Sequence, residues 1–228
     1  MDDEASGLAT RLRLETQALH AEAERSGYVQ EILKRRASRG GYALFLRNLL
    51  PAYQAMEQAL ARHARDPVLE HFVWPPLFRS ESMGADLEAL AGARWIQILP
   101  LLPEGQAYAD RIEKIGTAKP ARLIGHAYVR YIGDLSGGQI VQRILSAAPG
   151  LAPAMLGFYD FPGIADAGAY KEGFRRSLDQ VGEGGGDVDD IVDEAKLAFR
   201  LNIGLSTAVL GSRQHLGERV ARIDSAPL

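Results

Sequence analysis

The stretch His126-Ala127-Tyr128-Val129-Arg130-Tyr131-Ile132-Gly133-Asp134-Leu135-Ser136-Gly137-Gly138-Gln139-Ile140 constrains the chain more than any other. Leu123, Ala127, Arg130 and Asp134 step forward by three or four residues, and Val141, Ile144 and Leu145 continue the step, so the stretch reads as helix. Yet it carries Gly133, Gly137 and Gly138, each costing a helix interior about 1 kcal/mol relative to alanine. Gly133 and Gly137 are four apart and share a face, and Gly138 widens the bare strip. Such a strip admits something flat or bulky against the backbone and gives the helix a place to bend. Glycines alone favour the plainer reading, a tight crossing of two helices.

The rest of the chain reads as further helices. Ser6 is a candidate N-cap for a first helix to about Arg25, with Leu8, Leu12 and Leu19 buried and Gly27 as its stop. His20 and Glu24 are one turn apart on it, so the carboxylate can accept a ring N–H. Ser38 caps a long second helix with the stripe Tyr42, Leu46, Leu49, Tyr53, Met56 and Leu60, in which Pro51 should make a kink or remove a hydrogen bond. Asp66-Pro67 ends it, and Trp74-Pro75-Pro76 is an irregular crossing. Shorter helices are predicted over Glu81–Ala91 and Pro103–Ile115. The glycine-bearing helix runs from Pro120 to about Ala148, and Phe158-Tyr159-Asp160-Phe161-Pro162 reads as a loop folded onto the core. A helix over 166–181 carries Lys171, Arg175 and Arg176, and 182–186 is a flexible connection. Asp187 caps a last helix with Val188, Ile191, Ala195, Phe199, Asn202 and Ser206 along one side. No two-residue alternation and no hairpin signal occurs. The expectation is an all-α fold in one domain spanning 1–228, with its core over about 8–210.

The string Tyr-x-Arg-Tyr-x-Gly-Asp-Leu-Ser-Gly-Gly-Gln over 128–139 closely resembles the distal-helix signature of the haem oxygenases, which cleave haem to biliverdin. Leu14-Glu15-Thr16-x-x-Leu19-His20-x-x-Ala23-Glu24 resembles that family's proximal helix. The resemblance runs from about Leu8 to about Leu210 with its motifs in family order. It implies haem b, as both cofactor and substrate, sandwiched between the proximal helix and a glycine-kinked distal helix. His20 would be the axial iron ligand, with Glu24 behind it. Gly133, Gly137, Gly138 and Phe199 would lie against the ring. Arg13, Tyr128, Lys171 and Arg175 would hold the propionates, although Gln17 stands where some relatives carry a further lysine. Asp134, Arg130, Tyr53 and Asn202 would order waters beside bound oxygen, a network suited to proton delivery. Of the other histidines, His126 is the rival ligand, seven residues before Gly133 but about 10 Å along the helix axis from the strip.

Composition narrows the partners. A net charge of −3 gives no reason to expect nucleic acid, and the absence of cysteine excludes disulfides and thiolate ligands. The N-terminus lacks an apolar run and no stretch approaches 18 apolar residues, so a soluble cytoplasmic protein without a membrane anchor is expected. What the resemblance implies is cleavage of haem at a meso carbon, the α position expected, to biliverdin, carbon monoxide and ferrous iron. Dioxygen and electrons from a ferredoxin or a flavin reductase system would be consumed, and a monomer is expected. The competing readings are a haem carrier or sensor that never turns over, and a helical scaffold whose glycines serve packing.

Overall fold

A computed structural model describes residues 7–184, 187–215 and Ile223. Ten α-helices and no strand occur among the described residues. In chain order they are α1 (Leu8–Glu24), α2 (Gly27–Leu33), α3 (Arg39–Arg62), α4 (Ser80–Ala91), α5 (Trp95–Ile98), α6 (Pro103–Ala118), α7 (Leu123–Ala127), α8 (Gly133–Ser146), α9 (Ala167–Glu183) and α10 (Val188–His215). Among the described residues, no helix is long and apolar enough to cross a membrane.

The centre is α3. Every member of its predicted stripe, Tyr42 through Leu60, is fully buried, and Ser38 caps it by accepting from the Gly41 N–H. The helix continues through Pro51, lying between α4, α6 and α10. Around it, α10 packs against α1, α2, α6 and α7, so the C-terminal helix ties the N-terminal pair to the middle of the chain.

Several boundaries differ from expectation. Gly7 holds the N-cap position of α1, and Ser6 lies outside the described residues. Gly27 does not merely stop α1 but opens α2, with φ +54°. A Cβ there would lie 2.2 Å from the Ser206 carbonyl carbon, so the close approach of α10 demands glycine. Ser206 seals this joint by accepting from Val29 N and donating to the Ser26 carbonyl. Near the other end, α9 runs through Gly182 and Glu183, which the sequence assigns to a flexible connection; Gly185 and Gly186 lie outside the described residues. The last helix follows Asp187, whose carbonyl accepts from Ile191 N.

The glycine-bearing stretch is not one regular helix. After a 3₁₀ turn at Pro120–Arg122 and the short α7, residues Tyr128–Ile132 form a π-helical turn before α8 begins at Gly133. The departure from α geometry therefore precedes the glycines instead of falling on them. A π-turn widens the backbone by one residue per turn and re-aims the side chains on it, here Tyr128, Arg130 and Tyr131.

The tight crossing expected of glycines does exist, at Gly125. A Cβ there would lie 2.8 Å from Ala195 N and the Ile191 carbonyl oxygen of α10. One residue on, His126 is fully buried with Nε2 3.0 Å from Glu194 Oε1. Burial pushes the His126 pKa down, so the neutral ring donates Nε2–H to the carboxylate. Burial alone would raise Glu194, but hydrogen bonds led by Arg111 outweigh it and bring its pKa to about 2. A carboxylate so depressed contributes stability that is present above its ordinary value near 4.5 and lost as pH falls toward 2. Glu194→Gln should cost about 3–5 kcal/mol at neutral pH, because Arg111 and Arg122 lose their buried counter-charge. Its stability should also decline less steeply than the wild type's across that acid window. Urea titrations at a series of pH values would measure both effects, and parallel pH profiles would show that Glu194 is not the group responsible.

Candidate functional site

A cleft of about 460 Å³ opens between α1 and the 128–137 stretch. Arg13, Thr16, Gln17, His20 and Glu24 line one side, one turn after another along α1. Tyr128, Val129, Ile132, Gly133, Ser136 and Gly137 line the other, and Phe199 of α10 closes one end. An inner extension of about 170 Å³ shares His20, Gly133, Gly137 and Phe199 and reaches Arg130, Asp134, Gly138 and Asn202.

The glycines decide what kind of cleft this is. A Cβ added at Gly133 or at Gly137 would meet nothing within 4 Å. Neither glycine is filling a helix crossing; both leave bare backbone facing open space. Gly138 differs, because its Cβ would sit 3.1 Å from the Tyr159 ring. That ring belongs to the Gly157–Tyr159 turn, which is folded onto the core as expected, with Phe158 and Tyr159 buried. Asp86 of α4 holds the turn by accepting from Gly157 N at 2.9 Å and Phe158 N at 2.7 Å. Gln139 and Gln142 donate to the Tyr159 carbonyl and the Asp160 carboxylate, fastening α8 to the same turn.

His20 projects from α1 into the cleft, its side chain 58 % exposed and its ring 6.0 Å from Phe199 in an edge-on arrangement. Its Nδ1 is 3.8 Å from Glu24 Oε1, within electrostatic reach but beyond hydrogen-bonding distance. His126, the rival in the sequence, faces Glu194 and Tyr108 in the core and borders neither part of the cleft.

Four polar residues from three regions of the chain meet at the inner end. Tyr53 donates to Asp134 Oδ2 at 2.5 Å, and Arg130 Nε donates to the Tyr53 hydroxyl at 2.9 Å. Arg130 also donates through Nη1 to Asn202 Oδ1 at 2.9 Å and, weakly, through Nη2 to Asp134 Oδ1 at 3.5 Å. Phe158 stands edge-on to the Tyr53 ring at 5.4 Å and fixes it. Burial pushes the Asp134 carboxyl up, with Arg130 and Tyr53 pulling the other way. Burial also raises Tyr53 well above its ordinary value, so it stays a proton donor. For Arg130 burial opposes the charge, yet Tyr53 and Asp134 prevail and hold it protonated. The group is thus a buried carboxyl with a raised pKa, held from two sides by donors that keep their protons. Such a carboxyl can take up and release a proton without changing place.

The cations fall along the cleft's rim. Arg13 and Tyr128 line it directly, and the Lys171 ammonium is 3.5 Å from the Ser136 hydroxyl. Arg175 shares an adjoining groove with Arg13 and Tyr128 and pairs loosely with Glu172 at 3.3 Å. The residues that the resemblance assigns to haem and its waters therefore gather at this cleft or its margins, whereas His126 does not. Thr16 and Ser136 stand in the two motif strings without a role assigned to them, and the Asp86 clamp was missed: a buried aspartate on an amphipathic helix carries no local mark of what it will touch.

The haem oxygenase family's sequence profile matches residues 6–208. The chain belongs to the haem oxygenase family. Heme oxygenase 1 of Nostoc sp. is 35 % identical over 209 residues, 91 % of this chain and 88 % of that one. Heme oxygenase 1 of Synechocystis sp. is likewise 35 % identical, over 90 % of this chain and 85 % of that one. The crystal structure of the Synechocystis protein in complex with heme superimposes with a TM-score of 0.86 at 34 % identity, covering 95 % of this chain and 99 % of that one. This haem oxygenase has the family's all-helical fold and is an enzyme of haem degradation.

Proposed function

We propose that haem b binds in the cleft between α1 and α8 and is opened there at a meso carbon, the α position, yielding biliverdin, carbon monoxide and ferrous iron. The observation that carries this reading is the bare face of Gly133 and Gly137, open to space opposite His20. A slot without side chains on one wall suits a flat macrocycle, and its volume is that of an ordinary cofactor site. The cationic rim of Arg13, Lys171 and Arg175, with the Tyr128 hydroxyl, suits two propionates. When bound, haem supplies the iron that activates dioxygen and the carbon framework that is cleaved.

The chain's own residues bind, exclude and protonate. His20, which brings an imidazole to the cleft, would hold the haem iron, with the Glu24 carboxylate 3.8 Å behind its ring. Gly133, Gly137, Gly138 and Phe199 set how closely the ring approaches the backbone. Asp134 would take up and pass on a proton through water at the inner end of the cleft, with Tyr53 and Arg130 fixing the carboxyl and Asn202 fixing Arg130. The described residues act as one domain, and the chain works as a monomer in the cytoplasm.

Substituting Gly137 tests the site itself. A Cβ at Gly137 meets nothing within 4 Å and leucine gains helix propensity, so in Gly137→Leu apo stability should be kept or rise by about 0.5–1 kcal/mol. Haem affinity should fall at least about 100-fold, because the leucine fills the slot. Haem titration of folded apo variant measures this, and undiminished affinity would place haem elsewhere.

Electrons come from a small acidic carrier such as a ferredoxin, or from a flavin reductase system, docked on the Arg13, Lys171 and Arg175 rim. Charge pairing between exposed groups fades as the screening length falls to about 3 Å near 1 M salt. The second-order reduction rate by reduced ferredoxin should therefore drop steeply with ionic strength. A flat salt dependence would remove the rim from the docking surface.

A further inference from the structure

The outer side of α9 carries a second groove, apart from the haem cleft. It holds about 570 Å³ between α9, the segment around His71 and Trp74, and the 163–166 turn. One wall is aromatic. The Trp74 and Tyr170 rings stack with centroids 4.1 Å apart and planes tilted by 36°, and Trp74 is 36 % exposed, a large apolar surface left uncovered. Tyr170 leans on Phe174, whose ring meets Phe72 edge-on at 5.1 Å, so the indole platform is tied to the core. The floor is made of small residues: Ala169, Gly173 and Ser177 are four apart on one face of α9. A Cβ at Gly173 would meet only the Arg176 guanidinium, at 3.7 Å.

The polar groups here are not committed to one another. Among the described residues, Arg176 pairs only with Glu172, at 3.9 Å, and His71 only with Glu70, also at 3.9 Å. The carboxylate at the groove, Asp166, is engaged in capping α9 through Ala169 N at 2.9 Å. An aromatic wall above a floor of small residues suits a planar body, and a loosely held guanidinium at the edge suits an acidic group.

We infer that this groove binds a planar conjugated anion, its ring system on Trp74 and its acidic group on Arg176. Flavin mononucleotide and the linear tetrapyrrole released by haem opening both have that chemistry. None of its lining residues lines the haem cleft, although Phe174 and Arg176 also border the adjoining groove that holds Arg13, Tyr128 and Arg175. The test uses protein already loaded with haem, so that the first cleft is filled. Flavin mononucleotide and biliverdin are each titrated in by equilibrium dialysis. Saturable one-site binding is expected for at least one of them, and the one that binds identifies the source. Trp74→Ala and Arg176→Glu should each weaken it about tenfold or more, while Arg13→Ala leaves it unchanged. Arg176 is a surface side chain, so its variant keeps the fold, and haem turnover driven by a chemical reductant should stay at the wild-type rate in both. Absence of saturable binding for both ligands would overturn the inference, as would binding indifferent to both substitutions.

Discussion

Asp134→Ala is expected to bind haem normally and to yield little or no biliverdin, with peroxidase-like oxidation of added phenols rising as biliverdin falls. The carboxyl is buried, accepts from Tyr53 and faces Arg130, and burial raises its pKa, which suits it to pass a proton at the inner end of the cleft. Alanine removes that proton carrier and leaves the Tyr53 hydroxyl and one Arg130 nitrogen without their acceptor. Loss of a positioned acid–base group commonly costs 10²–10⁴ in rate, about 3–5 kcal/mol of barrier. Asp134→Asn keeps the shape but not the acid, and should fail nearly as badly. A structural carboxylate would behave differently: asparagine would restore what alanine loses. Biliverdin per haem, beside a peroxidase assay, distinguishes the two, and a full yield from Asp134→Ala would return Asp134 to a packing role.

His20→Ala should lose turnover altogether while keeping much of its haem affinity. Iron ligation is one of several contributions to holding haem; the cationic rim, the bare strip and Phe199 remain. Because His20 is more than half exposed and makes no hydrogen bond in the cleft, its removal leaves no buried group unpaired, so the fold should be unaffected. His126→Ala is the instructive contrast. It strips a donor from the buried Glu194 and opens a hole beside Tyr108, so stability should fall, with the haem spectrum unchanged in whatever protein folds.

The fold was largely legible in the sequence because its signals are local. The Tyr42-to-Leu60 stripe is apolar at helical spacing whatever surrounds it, and Ser38 caps α3 through an N–H three residues away. What escaped depends on distant contacts. Gly27 resembles any helix stop until Ser206, far along the chain, requires its positive φ. Similarly, the pairing of His126 with Glu194 joins residues 68 apart. The π-turn at Tyr128–Ile132 contains no glycine or proline, so sequence placed the irregularity on the glycines, which lie in regular helix just beyond it. For the candidate site, Asp134, Arg130 and the glycines stand together in one string, which made them conspicuous. Tyr53 and Asn202 were visible only as polar residues on otherwise apolar faces, yet their hydrogen bonds to Asp134 and Arg130 are direct.

The central claim, that haem sits between His20 and the glycine strip with His20 on the iron, is tested most directly by chemical rescue. His20→Ala is reconstituted with one equivalent of haem, and biliverdin per haem is measured under reductant with and without added imidazole. The expected result is no biliverdin without imidazole, and a substantial yield once imidazole fills the space the side chain left. Biliverdin formation without imidazole, or a haem spectrum identical to the wild type's, would contradict it.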